Sequence, residues 1–230
     1  MRRLGDVGRA LGLPLDELVS HRSPRVVDLM RRIDALDGKA LTLVESLVDG
    51  GASDTPAGAR HLALLGVRGA GKSTVGAQVA ERLGRPFVEL DQRIEQEAGL
   101  SLGQIFLIHG EAYYRQLEYE ALRKLLRSSE PVVVATGGSL VTHHETWALL
   151  RQSARTVWLH AQAQDLWDRV IAQGDRRPMR ENPQAFSQLE SLLAEREPLY
   201  GQADGTVETS GMGLVEVIDS VLKIEVAPGS

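Results

Sequence analysis

The chain has 230 residues, 43% hydrophobic and 25% charged, with a formal net charge of −5, which suits a soluble globular protein of one medium domain, or one domain plus a smaller appendage. It contains no cysteine, so a disulfide scaffold, a thiolate-ligated metal and a thiol nucleophile are excluded. The acidic balance argues against a chain-wide grip on nucleic acid, no apolar run approaches the roughly 20 residues of a membrane span, and the N-terminus has no long apolar stretch typical of a signal peptide, so a cytoplasmic protein is expected.

Residues 1–20 read as two short helices. Leu4, Val7 and Leu11, then Leu15 and Leu18, recur at helical spacing on either side of Gly12-Leu13-Pro14. Ser23-Pro24 has the form of an N-cap followed by proline at the first helical position. Val26, Val27, Met30, Ile33 and Leu36 then mark one face, and a further helix is expected over 39–48. Residues 50–58 are rich in Gly, Ser, Asp and Pro and read as a linker. Beyond it, strands are expected at 61–65, 86–90, 131–136, 155–160 and, more weakly, 206–209. Helices are expected near 73–83, 91–98, 111–128, 144–151, 163–173, 186–200 and 213–224. Ser101 and Gln104 have capping-box spacing for a short additional helix. This alternation predicts an α/β domain over 60–230, a parallel sheet covered by helices on both faces. It follows a segment 1–20 and a helical linker 21–59.

The strongest chemical signal is Gly66-Val67-Arg68-Gly69-Ala70-Gly71-Lys72-Ser73-Thr74. It satisfies G-x-x-x-x-G-K-[ST] between a strand and a helix, the context that a nucleotide phosphate loop requires. Glycines let backbone N–H groups turn toward phosphate oxygens, and the helix N-terminus adds partial positive charge. Lys72 can reach the β- and γ-phosphates and the Ser73 hydroxyl can ligate Mg²⁺. Glu89 and Asp91 sit at the end of the second strand, where open α/β sheets bind ligands. A carboxylate there could accept a hydroxyl proton or hold Mg²⁺, but Asp91 could equally cap the next helix. Thr136-Gly137-Gly138-Ser139 closes the third strand with a pair of glycines that permits close approach of a ligand. Arg176-Arg177-Pro178-Met179-Arg180 lies between two helices and could be a lid bringing arginine over a phosphoryl group. Arg115 and Arg196 acquire meaning only if they converge on one site. The scattered histidines carry no assigned chemistry, and Trp147, Trp158 and Trp167 are expected to pack the core.

Taken jointly, these residues resemble shikimate kinase, a P-loop phosphotransferase, from about Arg60 to Leu222. The resemblance implies a shikimate kinase-like P-loop fold working with ATP and Mg²⁺. Gly66, Gly69, Ala70, Gly71, Lys72, Ser73 and Thr74 would hold nucleotide, with Ser73 and Glu89 on the metal side. It implies that Asp91 contacts the acceptor and that Arg115 in Tyr-Tyr-Arg and Arg196 in Arg-Glu-Pro-Leu-Tyr hold the acceptor carboxylate. Gly137 and Gly138 would start a substrate loop whose third glycine is here Ser139, and Arg177 would be the lid arginine. Lys72, Asp91 and Arg177 would then be the catalytic set.

A second resemblance lies in Arg3 to Val19, which look like the last helices of a repressor-type helix-turn-helix domain. With the kinase-like domain, and with strings such as Val88-Glu-Leu-Asp-Gln-Arg-Ile-Glu, the whole is similar to the benzoyl-CoA-responsive transcriptional regulators of aromatic catabolism (BzdR/BoxR type). That resemblance implies an effector sensor whose site takes a CoA thioester, with a DNA operator as partner in a full-length form and a homodimer formed through the linker helices. The recognition helix is missing, so specific operator binding by the chain as given is not expected. On the sequence alone, the sensor is the favoured reading and an active shikimate kinase, phosphorylating the shikimate 3-hydroxyl from ATP, is the alternative.

Overall fold

The computed structural model describes residues 60–172 and 184–226, all within the compact unit Ala57–Ser230. The expected helix-turn-helix remnant, the linker helices and the arginine-rich segment with Arg177 lie outside the described residues.

Five parallel strands form one sheet: β1 (His61–Leu65), β2 (Phe87–Glu89), β3 (Val133–Ala135), β4 (Ala154–His160) and β5 (Gly205–Glu208), in the order β2-β3-β1-β4-β5. The central strands are apolar runs rather than alternating ones, because both faces are covered. All five residues of β1 and all three of β3 are buried. Leu62 pairs with Val133 on one side and Arg155 on the other. The helices are α1 (Lys72–Leu83), α2 (Leu90–Ala98), α3 (Leu102–Leu126), α4 (His144–Ser153), α5 (Ala163–Ala172), α6 (Ala185–Tyr200) and α7 (Leu214–Val226), with a 3₁₀ turn at Leu140–Thr142. Among the described residues, no helix is long and apolar enough to cross a membrane.

Helix ends follow local chemistry. Gly84 closes α1 and Gly99 closes α2, each in the left-handed conformation that glycine adopts without a side-chain clash. Ser101 opens α3 with the expected capping box: its hydroxyl accepts from the Gln104 N–H, and the Gln104 side chain accepts from the Ser101 N–H. The sequence predicts a short helix there and a separate one from 111. The structure joins them as one 25-residue segment, broken only at Gly110, where φ is 80° and ψ is −179°. That backbone region is essentially restricted to glycine.

Side chains fasten the sheet to its neighbours. The Thr136 N–H and hydroxyl both donate to the Leu64 carbonyl, which pins the end of β3 to β1. Asp204 Oδ2 accepts from both the N–H and the hydroxyl of Thr156, each at 2.7 Å, and so sets the start of β5 against β4. Trp147 is in the core as expected. Trp158 is only partly buried and stacks on Tyr200, and Trp167 is half-buried against Phe186.

Candidate active site

The loops after β1 and β3 meet at the carboxyl edge of the sheet, where the strand order reverses around β1 and doubly wound folds place their ligands. The β1–α1 loop holds Gly66, Gly69 and Gly71 at φ values of 138°, 84° and 90°. A side chain at Gly66 would meet the Leu159 carbonyl oxygen at 2.8 Å, and one at Gly69 the Leu166 carbonyl oxygen at 2.9 Å. These glycines are thus demanded twice, by backbone conformation and by space. No side chain caps the N-terminus of α1, which leaves its N–H groups suited to an anion. Lys72 Nζ donates to the carbonyls of Gly66 at 2.7 Å and Val67 at 3.0 Å. Burial lowers its pKa to about 8, against the pull of Asp91 and Glu89. Ser73 and Thr74 are exposed beside it.

The Gly137-Gly138 turn lies directly against this loop. A side chain at Gly138 would sit 3.2 Å from Val67 Cα and 3.4 Å from the Gly66 oxygen. The carbonyl of Gly138 accepts from Arg196 Nη1 at 3.0 Å and from the Tyr200 hydroxyl. Burial pushes the Tyr200 phenol up to about 12. Arg115 Nη1 reaches the next carbonyl, Ser139 O, at 3.4 Å. The two arginines therefore converge on one turn, although they lie on α3 and α6. Arg196 Nε is buried with no hydrogen-bond partner among the described residues.

Asp91 comes from the first turn of α2, whose N-cap is Glu89 with no side-chain capping bond. The capping alternative for Asp91 is thereby removed, and its carboxylate instead accepts from the Tyr114 hydroxyl at 3.3 Å. Burial raises the Asp91 pKa, against the hydrogen bond from Tyr114 and the charge of Lys72. The same hydroxyl lies 3.1 Å from Glu118 Oε1, and Glu118 Oε2 accepts from Arg115 Nη1 at 2.9 Å. Glu118 is wholly buried, and that burial pushes its carboxyl up in spite of Arg115. Arg115 also pairs with Glu111 at 3.0 Å.

Asp91, Lys72, Arg115, Gly137, Gly138 and Arg196 thus form one neighbourhood. Glu89 ends β2 two residues from Asp91, and Arg177 lies outside the described residues. Sequence reasoning missed Tyr114, Glu118 and Tyr200. The available signal was the i, i+3 and i, i+4 spacing of Glu111, Tyr114, Arg115 and Glu118 on one helix face.

The family model for shikimate kinase matches residues 68–224. The chain belongs to the shikimate kinase family. A shikimate kinase of Nitrobacter winogradskyi is 40% identical over 163 residues, 71% of this chain and 75% of the relative. One of Synechococcus sp. is 42% identical over 141 residues, 61% of this chain and 74% of the relative. Among solved structures, shikimate kinase from Acinetobacter baumannii in complex with shikimate is similar at a TM-score of 0.65 and 31% identity, covering 72% of this chain and 92% of that one. Shikimate kinase from Aquifex aeolicus gives 0.60 and 31%, covering 71% and 94%. The shikimate kinase family works with ATP and Mg²⁺.

These relatives correct the favoured sequence reading. The domain resembles shikimate kinases at about two residues in five, and no relative among them is a benzoyl-CoA-responsive regulator. The sensor reading, with its CoA thioester ligand and DNA operator, is withdrawn. It rested on the N-terminal segment and linker, outside the described structure, and on strings such as Val88-Glu-Leu-Asp-Gln-Arg-Ile-Glu that sit in a domain whose relatives are shikimate kinases.

Proposed function

We propose that this chain is a shikimate kinase that transfers the γ-phosphoryl group of ATP to the 3-hydroxyl of shikimate. The observation that carries the reading is the convergence of Asp91, Arg115 and Arg196 on a glycine turn that itself abuts the phosphate loop. An acidic acceptor needs cationic groups for its carboxylate and an acid–base group for its hydroxyl, both within reach of the γ-phosphate.

In this reading the phosphate loop and the N-terminus of α1 hold the β- and γ-phosphates, and Lys72 exchanges its two carbonyl partners for phosphate oxygens. Ser73 and Glu89 would hold Mg²⁺, whose part is to neutralise charge that develops between the phosphates. Arg115 and Arg196 orient the acceptor through its carboxylate, and the Nε of Arg196, buried without a partner among the described residues, is left for such a bidentate contact. Asp91 orients the acceptor hydroxyl and accepts its proton. The hydroxyl oxygen then bonds to the γ-phosphorus, the bond from that phosphorus to the bridging oxygen breaks, and ADP leaves with the electron pair. Arg177, from the segment outside the described residues, is the proposed clamp over the transferring group.

The test is ATP-dependent phosphorylation of shikimate by the purified chain, with Lys72→Ala as control. Turnover on the order of 1–100 per second, abolished in the control, is the expected result. A folded, nucleotide-binding protein that leaves shikimate unphosphorylated would overturn the proposal.

A further inference from the structure

We infer that the Tyr114 hydroxyl is a positioning group that alternates between Asp91 and Glu118, and so links engagement of the acceptor's carboxylate to release of Asp91 for the acceptor's hydroxyl. The inference rests on the acceptor reading above and adds to it a reason for preferring carboxylate-bearing acceptors.

A phenol carries one proton, yet Tyr114 Oη lies within hydrogen-bonding reach of two carboxylates, 3.3 Å from Asp91 Oδ1 and 3.1 Å from Glu118 Oε1. It can donate to only one at a time. The two claimants differ. Glu118 is wholly buried, and its donors are Tyr114 on one oxygen and Arg115 on the other. Asp91 is less buried and faces Lys72 and Glu95 as its other charged neighbours. A buried carboxylate that loses a charged donor must find another or bear the full desolvation penalty. An acceptor carboxylate that draws Arg115 from Glu118 leaves Tyr114 as the donor Glu118 retains. The phenol proton then turns to Glu118, and Asp91 Oδ1 becomes the open acceptor for the substrate hydroxyl. A neutral acceptor leaves Arg115 in place, and the phenol stays shared with Asp91.

The hydroxyl has little freedom beyond this alternation. Tyr114 is 3% exposed, its ring packs on Phe106 at 4.7 Å, and the Arg115 guanidinium lies over it at 5.4 Å. All three oxygens crowd one backbone position. A side chain at Gly137 would meet Asp91 Oδ1 at 3.1 Å, the Tyr114 hydroxyl at 3.2 Å and Glu118 Oε1 at 3.4 Å.

Tyr114→Phe removes the hydroxyl and keeps the ring. kcat and KM are measured for shikimate and for its methyl ester, in the wild type and the variant. The wild type is expected to favour shikimate in kcat. In the variant the kcat ratio of acid to ester should shrink by about tenfold, the worth of one hydrogen bond to a charged group. KM for shikimate should rise relative to that for the ester, because without the phenol Glu118 is left with neither donor when the acceptor draws Arg115 away. A kcat ratio that stays the same in an active variant overturns the inference alone. A wild type inactive on shikimate overturns the functional reading and the inference with it. Should the variant fail to fold, carbon-13 at tyrosine Cζ reads the same switch in the wild type. The Tyr114 resonance should move when shikimate binds and stay in place with the ester, and an unmoved resonance with shikimate overturns the inference.

Discussion

The nucleotide side and the acceptor side of this site are built from different materials. The phosphate loop is nine consecutive residues, and what it offers a ligand is mainly backbone: three glycines at positive φ and an uncapped helix N-terminus. The acceptor side is made of side chains from α2, α3 and α6, gathered around a glycine turn after β3. A backbone site tolerates almost no change in conformation. A side-chain site depends on each partner keeping its neighbours satisfied. The two should therefore fail differently when damaged.

Gly66→Ala should give the largest effect. The added carbon meets a backbone oxygen at 2.8 Å at a φ of 138°, so conformational strain and overpacking combine to about 4 kcal/mol. Urea unfolding should show that loss together with weaker ATP binding. Glu118→Ala should come next, at about 3 kcal/mol, because it removes the buried partner of Arg115 and leaves that guanidinium with the exposed Glu111. Denaturation should report it, while ATP affinity measured on the folded variant stays near the wild-type value. Gly137→Ala is milder. Its backbone conformation is ordinary, and its clashes are with ends of side chains that can shift by tenths of an ångström. KM for the acceptor should rise by about tenfold, with little change in Tm or in KM for ATP. Equal damage to ATP and acceptor binding in this variant would break the distinction between the two sides.

The smallest effect lies at the far end of the sheet and serves as a contrast to both. His61 Nδ1 accepts the Val132 N–H, which requires an unprotonated nitrogen, and burial holds the His61 pKa below its ordinary 6.5. The unfolded chain protonates first as pH falls, so this residue's contribution to stability is present above about pH 6.5 and lost below it. His61→Gln should flatten the slope of Tm against pH below about pH 6.5 while leaving KM for both substrates unchanged.

The same contrast governs what the sequence disclosed. The phosphate loop and β1, β3 and β4 were legible because their physics is contiguous, a glycine pattern between a strand and a helix or a short apolar run with turn residues at its ends. Arg115 and Arg196 were not legible from spacing. They stand 81 positions apart, and family resemblance alone nominated them before the structure brought both to the turn at 137–139. Tyr114 and Glu118 passed unnoticed because a tyrosine and a glutamate on a charged helix usually face solvent. Only the packing of α3 against α2 and the β3 turn shows otherwise. Asp91 stood between two roles until the cap position fell to Glu89. Trp158 packs against the core as expected, half-buried and stacked on the buried Tyr200 ring. The regulator reading failed for a related reason: a short amphipathic run such as residues 1–20 carries far less information than a gathered set of acids and arginines.

Gly110 divides α3 into two parts with different tolerance for change. Its break separates the turn bearing Phe106, Leu107 and Ile108, all exposed, from the half of α3 that presents Tyr114, Arg115 and Glu118. A continuous helix would pass every rotation of its first turns on to those three groups, about 100° per inserted residue. The break absorbs such errors, so Leu107 and Ile108 of the outer turn are open to substitution, while Phe106, packed on the Tyr114 ring, and the inner turn stay in register with Asp91.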